Sequence, residues 1–96
     1  MESSSKDPVF SISVAARLVG TSIRVLRYYE EMGLITPYRT DGNTRLYSDH
    51  NIKKLKLVFL LQKEKEVNLS GIKIILGIIA DQKMTDGKVK ELLLKF

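Results

Sequence analysis

The stretch from Arg24 to Tyr47 constrains this chain most. It reads R-V-L-R-Y-Y-E-E-M-G-L-I-T-P-Y-R-T-D-G-N-T-R-L-Y. A basic, aromatic helical pattern runs into Gly33, passes through an extended segment at Pro37, turns at Asp41-Gly42-Asn43 and returns through a second basic run. That order puts one helix and one adjacent finger of chain on the same cationic face. Gly and Asn tolerate positive φ, so D-G-N reads as a hairpin turn. On the returning strand, Leu46 falls on one face and Arg45 and Tyr47 on the other.

The residues before this stretch complete the pattern. Ser11 or Ser13 can cap a first helix, in which Val14, Ala15 and Leu18 are predicted to face inward. Its two alanines let a second helix approach closely, and Gly20 ends it in a sharp turn. Thr21 or Ser22 can cap the second helix. There Ile23, Leu26 and Tyr29 take the inner face, leaving Arg24, Arg27 and Tyr28 outward. Short helix, glycine turn and second helix make a helix-turn-helix, and a hairpin placed after it is a wing. The predicted fold is mostly α, a winged helix-turn-helix with a small β-hairpin wing followed by further helices. Ser48 can cap a third helix over about residues 49–65, and Asn68 a fourth with Ile72, Ile75, Leu76 and Ile79 as its stripe. After a break at 81–87, Val89, Leu92, Leu93 and Phe96 recur at helical spacing. The expected organisation is a flexible N-terminal arm at 1–8, a head at 9–80 and a short C-terminal helix at 81–96.

Charge narrows the partners. Sixteen Lys and Arg stand against eleven Asp and Glu in 96 residues, a formal charge of +5. That balance favours polyanions, nucleic acid first. Cysteine is absent and histidine occurs once, which removes disulfides and thiolate metal sites and leaves little for nucleophilic catalysis. No glycine-rich phosphate loop is present, so no enzyme, metal or cofactor is expected. The apolar runs fall far short of the ~20 residues that cross a bilayer. No secretory segment is visible, and the expected location is the bacterial cytoplasm.

The ordered set I-S-V-A-A-R-L-V-G, T-S-I-R-V-L-R-Y-Y-E-E-M-G-L-I-T-P, R-T-D-G-N-T-R-L-Y-S and V-N-L-S-G-I-K-I-I-L resembles the DNA-binding head of the MerR family of bacterial transcription regulators. The resemblance covers roughly Val9 to Ile79. It implies a two-fold dimer on an inverted-repeat operator, with the second helix in the major groove and the wing along the flanking backbone. Within the family, V-N-L-S-G-I-K-I-I-L is most similar to the heat-shock repressors of the HspR type. That likeness implies repression of chaperone genes, with the chaperone DnaK as a co-repressor. Regulators of the GlnR type carry a similar R-T-x-G-N-x-R-L-x-S wing, so a nitrogen regulator is the alternative. A second alternative is a family-fold module that modulates a chaperone without touching DNA. The family's thiolate metal sensors are not matched here, for want of cysteine. The residues after Ala80 are too few for the large effector domain of its drug sensors.

The candidate DNA-contacting residues are Arg17, Thr21, Ser22, Arg24, Arg27, Tyr28, Arg39, Asn43, Arg45 and Tyr47. Arg24, in the first turns of the second helix, is placed to pair with a base edge. Arg27 and Tyr28, one turn later, suit phosphate oxygens. Arg27 could equally pair with Glu30 or Glu31. Arg17 is expected at backbone phosphate or simply at the surface. Arg39, Asn43 and Arg45 are the wing candidates, although Asn43 could serve only the turn and Tyr47 could pack under the wing. Val89, Leu92, Leu93 and Phe96 are expected to form an apolar stripe for dimerisation or another helical partner.

Overall fold

The computed structural model describes residues 6–82 and 86–95. The chain divides into two compact units, Met1–Leu60 and Leu61–Phe96. In the first unit a short strand β1 (Phe10–Ser11) leads into helix α1 (Ile12–Val19) and then α2 (Ile23–Glu31). The wing follows as β2 (Tyr38–Arg39) and β3 (Arg45–Tyr47). Helix α3 (Asp49–Lys63) begins in this unit.

The predicted caps form. The Ser11 hydroxyl accepts the Val14 amide at 3.3 Å, and the Ser22 hydroxyl accepts that of Val25 at 3.2 Å. Each satisfies an amide that has no partner within its own helix. Gly20 ends α1 at φ 90° and Gly33 follows α2 at φ 76°, backbone that glycine adopts without a Cβ penalty. At α3, Ser48 and Asn51 cap each other: the Asn51 amide donates to Ser48 Oγ at 3.1 Å, and the Ser48 amide donates to Asn51 Oδ1 at 3.0 Å.

One inward face differs from expectation. Ala15, Ala16 and Val19 are the buried residues of α1, whereas Leu18 is 43% exposed. Leu26 and Tyr29 of α2 are fully buried, together with Leu34 and Ile35 just beyond it. Each such aliphatic side chain contributes about 1.5–3 kcal/mol by leaving water.

The sheet has three strands, in the order β1-β3-β2 and antiparallel throughout. The sequence pattern pointed only to the hairpin; the two-residue β1 is too short to show alternation. It pairs Phe10 with Tyr47 and Ser11 with Leu46, and Val9 N–H adds a bond to Tyr47 C=O at 3.0 Å. On the other side Tyr38 faces Leu46 and Arg39 faces Arg45. The positive φ of the wing turn lies at Asn43 (φ 65°), not at Gly42.

In the second unit α4 (Leu69–Gln82) is capped by Asn68, whose Oδ1 accepts the Gly71 amide at 2.8 Å. Ile72 is fully buried, while Ile74 and Ile78 are exposed. Helix α5 (Asp86–Leu94) closes the described chain. Val89, expected on an open stripe, is buried (8% exposed), because folding does leave enough core to cover it. Leu92 is half-buried and Leu94 exposed; the Leu93 side chain and Phe96 lie outside the described residues. Among the described residues, no helix is long and apolar enough to cross a membrane.

Candidate nucleic-acid interface

Helix α2 presents Arg24, Arg27 and Tyr28 to solvent along one side while Leu26 and Tyr29 anchor the other. The Tyr28 ring stands 6.4 Å from that of Tyr29, centroid to centroid. Arg17 is exposed in the last turn of α1, where a cation also complements the helix dipole. Thr21 is half-buried and Ser22 is exposed, its oxygen occupied by the α2 cap. Among the described residues, Arg17, Arg24 and Arg27 enter no ion pair with a carboxylate. Glu30 and Glu31 therefore leave Arg27 open, and the alternative of a salt bridge within α2 is not realised.

The wing arginines are in a different state. Arg45 Nε donates to Glu30 Oε1 at 2.7 Å, and Arg39 Nη2 donates to both oxygens of the same carboxylate at 3.2 and 3.1 Å. Arg39 also reaches the turn, donating through Nη1 to the Asn43 carbonyl at 3.3 Å, with the Asn43 side-chain oxygen at 3.5 Å. Thr40 tightens the same turn, its Oγ1 accepting the Thr44 amide at 3.1 Å. Both wing arginines are thus ion-paired to one carboxylate. The register sets Arg39 directly opposite Arg45, and like charges at such a pair repel. A carboxylate from the last turn of α2 lies within reach of both and resolves the conflict.

Glu30 is only 20% exposed at its side chain. Burial by itself raises its pKa, but the hydrogen bonds and charges of Arg45 and Arg39 outweigh that and hold it below the ordinary glutamate range. Glu30 is therefore a carboxylate at neutral pH. Two arginines and one glutamate leave the wing with one net positive charge at this point.

Tyr47 is fully buried, so it offers no surface to a ligand, and the expected DNA contact is corrected in favour of packing under the wing. Burial raises its phenol pKa first; the charge of Glu30 adds to the rise, and Arg45, Arg39 and Arg27 oppose it.

Glu30 is the residue of this site that the sequence shows only as a partner for Arg27. A signal was present: Arg39 and Arg45 sit symmetrically about the D-G-N turn, so a hairpin must pair them, and a facing pair of arginines calls for an anion. Among the described residues, no group of three His, Cys, Asp or Glu is arranged to hold a metal ion.

Comparison with known proteins agrees with this geometry. Residues 10–77 match the MerR HTH family regulatory protein description, which covers both helices, the wing and most of α4. The chain belongs to the MerR family of helix-turn-helix regulators. Among curated MerR-type relatives, a heat shock protein HspR of Streptomyces coelicolor is 44% identical over 71 residues, 74% of this chain and 47% of that protein. The transcriptional regulator GlnR of Bacillus anthracis is 38% identical over 84 residues, 88% of this chain and 64% of that protein. The chain thus spans about half to two thirds of the length of these relatives. Two solved structures share the fold at 24% identity. One is the lead(II) complex of the regulator PbrR691 from Ralstonia metallidurans, with a TM-score of 0.72 over 88% of this chain and 66% of that one. The other is HiNmlR, a MerR family regulator lacking the sensor domain, bound to promoter DNA, with a TM-score of 0.63 over 90% and 75%. The family and these relatives are regulators, not enzymes.

Proposed function

We propose that the chain is a sequence-specific DNA-binding transcription regulator, acting in the bacterial cytoplasm as a pair of copies on an inverted repeat. The observation that carries this reading is the exposed side of α2, where Arg24 and Arg27 have no acidic partner among the described residues, beside a braced wing. In it α2 enters the major groove, Arg24 pairs with a base edge, and Arg27, Tyr28 and Arg17 hold phosphates. Thr21, Ser22 and Asn43 lie at the ends of α2 and the wing tip, where short polar side chains suit backbone oxygens. The promoter-bound HiNmlR shares this fold.

The finer role is repression of heat-shock and chaperone genes, supported by the 44% identity to HspR. DnaK then serves as co-repressor, and, of the apolar stripe, Leu92, Leu93 and Phe96 are the residues offered to a partner, Val89 being buried. The GlnR likeness, lower in identity but over more of the chain, supports the nitrogen regulator as the second reading.

Selection of bound duplexes from random sequence tests the proposal. A defined inverted repeat is expected, with affinity falling in salt at a log–log slope of about −0.9 per neutralised phosphate. Genomic copies of that repeat should lie before chaperone genes, and DnaK should strengthen the gel shift. Copies before nitrogen-assimilation genes would transfer the reading to the GlnR type. Failure to retain any duplex would leave the chaperone-modulating module.

A further inference from the structure

Glu30 stands where the two halves of the proposed interface join. It belongs to the last turn of α2, and its carboxylate is the acceptor for both wing arginines. The outer arm of the wing has little stiffness of its own, since β2 has two residues and, among the described residues, pairs with the three-residue β3 alone. Through Arg39 the contact continues to the Asn43 carbonyl at the turn, so a string of polar bonds runs from helix to wing tip. Meanwhile Arg39 and Arg45 face each other across the hairpin and would push apart without the anion.

We propose that Glu30 is a specificity-determining positioning residue: it seats the wing on the recognition helix and cancels one wing cation, trading general attraction to phosphate for a fixed geometry on the operator. This rests on the DNA-binding reading above. Without the anion the wing gains a net positive charge toward any duplex but loses its registration with Arg24 and Arg27. Weak, indiscriminate binding then rises and discrimination falls.

The test measures affinity against salt for the selected repeat and for a random duplex, using the wild-type chain, Glu30→Gln and the double variant Glu30→Gln/Arg39→Gln. Glu30→Gln should steepen the salt slope by about 0.9 on both duplexes and reduce the ratio of selected to random affinity by about tenfold or more. The double variant removes one cation along with the anion and relieves the Arg39–Arg45 repulsion, so it should fold even where the single variant does not. Its slope should return to the wild-type value while discrimination stays low. Wild-type discrimination in the double variant, or an unchanged slope in a folded Glu30→Gln, would overturn the proposal. Absence of duplex binding by the wild-type chain would instead overturn the reading on which it rests.

Discussion

Helix α2 and the wing each carry two arginines, and the pairs are in opposite electrostatic states. Arg24 and Arg27 stand exposed on a rigid helix whose far side is fixed by Leu26 and Tyr29. Arg39 and Arg45 stand on a hairpin of two short strands and converge on one carboxylate. The contrast shows that cation count is a poor guide to cation availability. On α2 the two arginines point into solvent, where water screens their repulsion, whereas the hairpin register sets Arg39 opposite Arg45 beside a half-buried carboxylate. The helix thus retains charge for a ligand, while much of the wing's charge holds the wing in place.

If that division is right, the variants should split by readout, affinity for the helix and stability for the wing. The largest effect is expected from Arg24→Ala, a loss of about 1–3 kcal/mol, and so roughly 5- to 150-fold, on the selected repeat alone. A gel shift against selected and random duplexes measures it, and equal losses on both would make Arg24 a phosphate contact. Arg27→Ala should reduce the salt slope by about 0.9 on both duplexes alike. Arg45→Ala should instead lower the thermal unfolding midpoint, by a stability loss of about 1–2 kcal/mol, because its contact with Glu30 is the shortest and most sheltered of the wing. Arg39→Ala, at a side chain 37% exposed, should cost under about 1 kcal/mol after solvent screening. Wing variants that alter the salt slope but not the melting curve would abolish the distinction.

Acid provides a further test. Glu30 has a folded pKa below its ordinary value, so its contribution is fully present above that value and is lost as pH falls through the lower, folded one. Stability measured by denaturant should decline over that acid window in the wild-type chain, and the decline should flatten in Glu30→Gln. Smallest of all should be Tyr47→Phe. Its ring is buried and its hydroxyl has no hydrogen-bond partner among the described residues, so affinity should hold and stability should change by less than about 1 kcal/mol. A large loss of binding would return Tyr47 to the interface.

Much of this chain could be read from residues near one another. Ser11, Ser22, Ser48 and Asn68 cap helices because a side-chain oxygen reaches an amide three residues on, a relation contained within one turn. Gly20 and Gly33 end helices for an equally local reason, and the outward face of α2 follows from its repeat. Leu18 shows where periodicity loses precision: a stripe tells which side of α1 is apolar, but the fold turns Ala15, Ala16 and Val19 inward and leaves Leu18 exposed.

The chain's order of residues thus determined its helix caps and its turn, which depend on contacts a few positions apart, and its family, which the succession of motifs carries. Folding in three dimensions decided which cations remain available. Glu30 lies nine residues from Arg39 and fifteen from Arg45, and only the return of the hairpin against α2 brings them within bonding distance. The burial of Tyr47 beneath β1 pairing arises likewise from a strand of two residues, too brief to announce itself as a pattern. Coulomb attraction and desolvation act through space, so charges far apart along the chain acquire their roles only once the backbone has closed around them.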